Sequence, residues 1–273
     1  MYKFDYKKNL GQNFLQDKNI IDKIVNAPDY GDNNLVIEIG PGAGALTKEL
    51  LKKVDRAILY EVDTRLEKIL NKELSTFVNY ELIFDDFLNR DVNKDISKYD
   101  FDNLYIVANL PYYITTPIIM NVLENHIPVE SITVMIQKEV AYRMKAQPST
   151  KDYGSLSLAV QYYCEPYLVA NVPQNCFMPR PNVDSAVIKL TVMDKPKVQV
   201  NNEKFMFEFI KAAFSQRRKT LVNCIFSSGL LTLSKDEIGK MLNGLGYDER
   251  VRGESLTLED YGKITDEAEK YIK

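Results

Sequence analysis

Residues 108–117 read ANLPYYITTP: an apolar run, LYIVANL, is broken by a proline and two tyrosines, with an asparagine just ahead of the break. Pro111 holds Leu110 in an extended conformation and brings no N–H of its own, which leaves the Leu110 carbonyl to point out from the strand end. The Asn109 side-chain oxygen adds a second acceptor, and Tyr112 adds an aromatic face. Two acceptors beside a ring suit a planar amino group conjugated to a heterocycle. Such an amine is a poor nucleophile because its lone pair is delocalised. Accepting a hydrogen bond from each of its hydrogens favours a pyramidal nitrogen able to attack. Catalysis of this kind rests on positioning and electrostatics and needs no strong base. That suits a chain with one histidine, His126, which sits in LENHIP at an expected helix end and takes no catalytic role. A proline that merely ends a strand, with tyrosines packed beneath, is the bland alternative for the tetrapeptide alone.

A second stretch, VIEIGPGAGALTKEL, reads as strand, glycine turn and helix start. Gly40, Gly42 and Gly44 permit positive φ and close approach of a ligand to the backbone at a helix N-terminus. Their spacing is G-x-G-x-G, not the G-x-G-x-x-G of dinucleotide binders, and such a turn can also serve only to pack strand on helix. Glu61 ends the next strand, about twenty residues on, where an acid accepts hydrogen bonds from ribose hydroxyls in this topology. Asp86 closes the third strand. Each acid taken singly is equally well a solvated strand-end carboxylate. An acid in VIEIG, the glycine turn and two further acids in phase line the carboxyl edge of a sheet, where open α/β folds bind ligands. These features suit S-adenosylmethionine at least as well as a nicotinamide dinucleotide, because a sulfonium cofactor has no pyrophosphate to cradle.

The elements that must carry these residues alternate along the chain. Strand-like runs lie at 35–40, 57–62, 80–84, 104–110, 131–137, 167–172 and 185–192. Between them LTKELLKKV, DTRLEKILNKEL, TPIIMNVLEN and SLSLAVQYY repeat apolar residues at three and four positions. The spacing predicts an α/β fold with a mainly parallel sheet covered on both faces, and an antiparallel hairpin of the last two strands at its edge. The polar segment DKPKVQVNNEK, 194–204, reads as a linker. Beyond it EKFMFEFIKAAF puts Phe205, Phe209 and Ala212 on one stripe, SKDEIGKML opens with a Ser234/Glu237 capping box, and LEDYGKITDEAEKYI closes the chain. We therefore expect a first domain over 1–194 and a helical domain of three to five helices over 203–273.

Composition narrows the classes. The chain has 273 residues, 45% of them hydrophobic and 27% charged, enough for one large or two modest domains. No apolar run approaches the length of a membrane span and the N-terminal stretch lacks an apolar signal core, so a cytoplasmic location is expected. Cys164, Cys176 and Cys224 have no CxxC spacing, and with one histidine no metal site is expected. The net charge of −3 and a pI of about 5.5 argue against a uniformly basic nucleic-acid binder. Cationic residues do cluster locally, as at Lys204, Lys211, Arg217, Arg218 and Lys219.

In combination the motifs resemble the bacterial small-subunit ribosomal RNA adenine N6,N6-dimethyltransferases. NLPY at 109–112 is similar to the amino-methyltransferase motif in the form that family uses. KKNLGQNFL at 7–15 looks like its N-terminal cofactor motif and IEIGPGAGALT like its glycine loop. MIQKEVAYRM, FMPRPNVDSAVIKL and FSQRRKTLVN resemble its later motifs. The resemblance spans nearly the whole chain. It implies a Rossmann-like S-adenosylmethionine-dependent methyltransferase fold with a seven-stranded sheet and a small all-α C-terminal domain. It further implies dimethylation of two adjacent adenosines in the hairpin near the 3′ end of small-subunit ribosomal RNA, on a late assembly precursor.

Carried over by position, Gln12, Asn13, Phe14, Leu15, Gly40, Gly42, Gly44, Glu61, Val62, Asp86, Phe87 and Asn109 would surround S-adenosylmethionine, with Glu61 on the ribose and Asp86 near the adenine. Asn109, Leu110 and Pro111 would hold the target amine, with Tyr112 on one face of the extruded base and Phe177 on the other. RNA contacts would rest on Lys7, Lys8, Lys138, Arg143, Lys145, Arg217, Arg218 and Lys219, although QRRK at a helix boundary also suits a helix dipole. A monomer using neither metal nor membrane is expected. The rivals are an erythromycin-resistance type of methyltransferase acting on large-subunit RNA, a largely non-catalytic assembly factor, and a dehydrogenase. The dehydrogenase is weakened by the loop spacing.

Overall fold

The computed structural model describes residues 14–273. In chain order the strands are β1 (Phe14–Leu15), β2 (Asn34–Ile39), β3 (Arg56–Tyr60), β4 (Tyr80–Ile83), β5 (Asn103–Asn109), β6 (Ser131–Gln137), β7 (Cys164–Val172), β8 (Phe177–Met178) and β9 (Ser185–Val192). The helices are α1 (Lys18–Val25), α2 (Ala45–Leu51), α3 (Glu67–Glu73), α4 (Val92–Ile96), α5 (Thr115–Glu124), α6 (Lys138–Met144), α7 (Ser155–Tyr163), α8 (Glu203–Ala213), α9 (Leu221–Ser228), α10 (Lys235–Gly244) and α11 (Leu258–Ala268). Each of the seven apolar runs forms a strand of one sheet, ordered β4-β3-β2-β5-β6-β9-β7.

The pairs β2/β3, β3/β4, β2/β5 and β5/β6 are parallel. β2, β5, β6 and all of β3 after Arg56 are buried along nearly their whole length, which is why they read as near-continuous apolar runs and not as alternations, while β4 at the sheet edge is half-buried throughout. β9 runs antiparallel to β6 and has β7 as its other neighbour, so the last two strands lie together at the edge. The strand order reverses at β2, and its register sets the level of the loops. Ile39 pairs Tyr60 and Tyr60 pairs Ile83. Ile37 pairs Ile106, which brings the residues after β2 level with the end of β5. The sequence reading did not include the two-stranded antiparallel ribbon of β1 and β8, in which Leu15 faces Phe177.

Contacts divide the chain into two compact units: residues up to Ala141 with Glu165–Val192, and Tyr142–Cys164 with Met193–Lys273. The expected boundary at 194–203 assigns 142–164 to the first domain, whereas these residues pack with the helices. Side-chain hydrogen bonds account for it. The Tyr162 hydroxyl donates to Glu203 at 3.1 Å and the Tyr163 hydroxyl donates to the same carboxylate. The Tyr153 hydroxyl donates to the Leu256 carbonyl at 2.8 Å.

Within the helical unit, Phe205, Phe209 and Ala212 are buried as the stripe predicts. The Ser234/Glu237 capping box forms, with the Ser234 N–H donating to Glu237 at 2.8 Å. α9 is capped by Thr220 and ended by Gly229 in the left-handed region. Among the described residues no helix is long and apolar enough to cross a membrane.

Candidate active site

In the first unit a cavity opens at the carboxyl ends of β2, β3, β4 and β5. Gly40, Gly42 and Gly44 all have positive φ, at 73°, 60° and 81°. At Gly40 no atom lies within 4 Å of where a Cβ would sit, so backbone conformation and not crowding calls for glycine there. The turn is tied to the neighbouring strand twice: the Gly40 N–H donates to the Tyr60 carbonyl at 2.8 Å, and the Gly42 N–H donates to Glu61 Oε2 at 3.0 Å. The other Glu61 oxygen accepts the Asp63 N–H at 2.9 Å. Glu61 is 5% exposed, and burial raises its carboxyl above the usual range against the lowering effect of those two N–H groups.

One more acid faces the cavity. Glu38, the acid of VIEIG on β2, is 1% exposed, and its Oε2 has no hydrogen-bond partner. The Thr47 hydroxyl on α2, likewise without a partner, and the Glu61 carboxylate are the polar groups nearest in effect; burial pushes the Glu38 carboxyl up to about 8. A charged acid inside an otherwise apolar strand was the signal available in the sequence.

The third strand end contributes Asp85, Asp86 and Phe87. Asp86 Oδ1 accepts the Leu88 N–H at 3.0 Å, capping a short turn, and Phe87 meets Tyr60 edge-on at 5.3 Å. Val62, half exposed, completes this side. Glu38, Glu61, Asp85 and Asp86 thus bring acids to the cavity while no Lys, Arg or His among the described residues lines it. That balance suits a cationic ligand such as a sulfonium bearing an ammonium group. It disfavours a pyrophosphate, whose charge would face four acidic side chains with no cationic side chain to offset them.

Asn109, Leu110, Pro111 and Tyr112 line the same cavity. The Leu110 N–H continues the sheet to the Met135 carbonyl at 3.1 Å. The Pro111 carbonyl accepts the Thr115 hydroxyl at 3.1 Å and the Ile114 N–H at 3.3 Å, so it is committed to the start of α5. The Leu110 carbonyl accepts no hydrogen bond among the described residues. The Tyr112 hydroxyl and Ser185 Oγ on β9 are 2.7 Å apart, which fixes the ring, and burial raises the phenol's pKa. Tyr113 follows at 58% exposed.

The remaining expected residues are placed less uniformly. Leu15 lines the cavity, but Phe177, its cross-strand neighbour, is 4% exposed, sits in the hydrophobic core and is not part of the wall. Lys7, Lys8, Gln12 and Asn13 lie outside the described residues, as does the side chain of Phe14. Lys138 belongs to the first unit, while Arg143, Lys145, Arg217, Arg218 and Lys219 belong to the second. Arg218 and Lys219 are exposed. Arg217 is committed to its own unit: Nη2 donates to the Lys151 carbonyl at 2.8 Å and the Tyr153 carbonyl at 3.1 Å, and lies 3.5 Å from Glu254.

Comparison with known proteins agrees with this geometry. The family model described as "Ribosomal RNA adenine dimethylase" matches residues 3–265. A relative from Lachnoclostridium phytofermentans named "Ribosomal RNA small subunit methyltransferase A" is 47% identical over 274 residues, covering 100% of this chain and 94% of its own length. One of the same name from Clostridioides difficile is 48% identical, covering 97% and 91%. Among solved structures, a dimethyladenosine transferase from Plasmodium falciparum superposes with a TM-score of 0.76 at 27% identity, covering 92% of this chain and 95% of its own. The 23S rRNA methyltransferase ErmE gives 0.70 at 25%, covering 94% and 100%.

Proposed function

The chain belongs to the ribosomal RNA adenine dimethylase family, and from that premise we propose that it transfers methyl groups from S-adenosylmethionine to N6 of two adjacent adenosines in the 3′-terminal hairpin of small-subunit ribosomal RNA. The substrate form in this reading is a late assembly precursor of the subunit. The observation that carries it is the convergence of the NLPY turn and the acid-lined glycine loop on one cavity. The small-subunit assignment is supported by the names of relatives close to half identical over nearly the full chain.

On this reading Glu61 takes the ribose hydroxyls with the lone pairs its two backbone donors leave, Asp86 takes the adenine amine, and Glu38 takes the ammonium of the methionine moiety. When bound, S-adenosylmethionine supplies an electrophilic methyl group. Asn109 and the Leu110 carbonyl accept the hydrogens of the target amine and turn its lone pair toward that methyl. Pro111 keeps Leu110 extended, and Tyr112, held by Ser185, presents its ring to the extruded base. Phe177 would form the second face after leaving the core position described above. No side chain need act as a strong base, since the methylated nitrogen is acidic enough to lose its proton to solvent. Gln12, Asn13, Phe14 and Leu15 complete the cofactor contacts, and Lys7, Lys8, Lys138, Arg143, Lys145, Arg218 and Lys219 provide phosphate contacts.

The test is transfer of a tritiated methyl group to small and large subunits from a strain lacking the protein, with nucleoside analysis. Dimethyladenosine in small subunits alone is expected. Label confined to large subunits, or in neither, would overturn the proposal.

A further inference from the structure

The cavity wall made by Asp85, Asp86 and Phe87 is fastened from behind by a buried carboxylate with no part in the chemistry above. Asp95, on α4, is 2% exposed. It receives four donors: the Tyr60 hydroxyl at 3.0 Å, Arg90 Nε at 3.0 Å, Arg90 Nη2 at 2.6 Å and Lys98 Nζ at 3.3 Å. Arg90 turns its third nitrogen, Nη1, to Asp85 Oδ2 at 3.4 Å, and Asp85 Oδ1 accepts the Asp86 N–H at 2.8 Å. Tyr60, the last residue of β3, immediately precedes Glu61, and its ring braces Phe87 edge-on.

A buried ion pair adds little stability over an apolar pair of the same shape. What a bidentate guanidinium and a buried hydroxyl on one carboxylate do supply is fixed geometry, because each donor direction is specified. Here the specified object is the turn from Asp85 to Phe87, which is held at one end through Arg90 and at the other through Tyr60. Asp86 commits Oδ1 to the Leu88 N–H, so Oδ2 is the oxygen available to a ligand, and its direction follows that of the turn.

We propose that Asp95 is a positioning residue for the purine end of the cavity: through Arg90 and Tyr60 it sets the Asp85–Phe87 turn so that Asp86 meets the exocyclic amine of the cofactor's adenine. This rests on reading the cavity as the S-adenosylmethionine site. Without the Asp95 carboxylate, Arg90 closes on Asp85 alone and the turn loses its second anchor. Binding weakens at the adenine amine in particular.

The test compares the full chain and Asp95→Asn by calorimetric titration with S-adenosyl-L-homocysteine and with S-inosyl-L-homocysteine, which carries a carbonyl where adenine has its amine. The unaltered protein is expected to prefer the adenine compound by about tenfold or more, the worth of one hydrogen bond to a charged group. Asp95→Asn is expected to bring that preference within about threefold. A residue that only stabilised the fold would weaken both ligands alike and leave the ratio intact, so a retained ratio overturns the proposal. Should Asp95→Asn fail to fold, Arg90→Lys, which keeps the charge but cannot span both carboxylates, is judged by the same ratio. Equal binding of the two compounds by the unaltered protein also overturns it. Binding of neither overturns the S-adenosylmethionine reading, and the clamp falls with it.

Discussion

The Gly42 N–H donates to Glu61 Oε2 across 3.0 Å, so the glycine turn and the acid of the next strand form one hydrogen-bonded unit before any ligand arrives. Glu61 therefore holds the turn closed, and on the proposed reading it also receives the ribose. Glu61→Gln places an amide where one of two backbone donors expects an acceptor. Loss of a charge-assisted bond of this kind weakens binding by roughly tenfold to a hundredfold. Calorimetry with S-adenosyl-L-homocysteine should show that loss while RNA affinity stays within a factor of about two. Unchanged cofactor affinity would remove Glu61 from the site.

Glu38 makes stability depend on pH. Its carboxyl is raised from 4.5 to about 8 in the folded chain, chiefly by burial. A raised folded-state pKa stabilises the native state fully below the unfolded value, and this contribution is lost as pH rises through the folded value. The window therefore runs from about pH 4.5 to about pH 8. Glu38→Gln, which is neutral throughout, should gain on the unaltered protein across that window by on the order of a few kcal/mol. Denaturant unfolding of both proteins at pH 5 and pH 8 measures this, and parallel pH profiles would show that Glu38 ionises freely.

On the proposed reading Asn109 and the Leu110 carbonyl activate the target amine, and such work is done in the transition state. Asn109→Ala should lower kcat for methyl transfer by about a hundredfold or more, the usual cost of removing a preorganised polar group. RNA affinity should hardly change. Strong residual turnover in a single-turnover assay would show that the amine is activated by other groups.

Tyr112 has a ring and a hydroxyl with different work. The hydroxyl pairs with Ser185, so Tyr112→Phe should reduce stability by about 1 kcal/mol and the rate by less than about tenfold. Tyr112→Ala removes the stacking face, worth about 1–3 kcal/mol per base in single-stranded recognition, and should cost far more in RNA affinity and turnover. Equal effects of the two variants in the methyl-transfer assay would mean that the ring does not stack on the base.

Most of the frame was legible in the sequence because it depends on local patterns. Buried parallel strands announce themselves as unbroken apolar runs, three glycines require left-handed backbone, and Pro111 breaks β5 where a cleft must open. What was not legible depends on contacts between distant residues. The pairing of Leu15 with Phe177 buries a side chain expected on the cavity wall. The hydrogen bonds from Tyr162 and Tyr163 to Glu203 draw 142–164 into the helical unit across a stretch that reads as one domain. Glu38 announced only its presence; that its Oε2 lacks a partner depends on what packs around it.

Arg217 and Arg218 look equivalent in FSQRRKTL, and the structure separates them. Both are exposed, but Arg217 donates to the Lys151 and Tyr153 carbonyls and so ties the segment before α7 to the turn after α8. Two charge-assisted bonds to backbone carbonyls, partly open to solvent, are worth about 1–2 kcal/mol together. Arg217→Ala should therefore lower Tm by about 2–4 °C in a chain of this size. Arg218→Ala should leave Tm within about 1 °C and instead reduce the salt dependence of RNA binding by about one phosphate's worth. Thermal unfolding and a salt titration of RNA affinity on both variants test the division. If Arg217→Ala lost RNA affinity with no change in Tm, its role as a tie within the helical unit would be wrong.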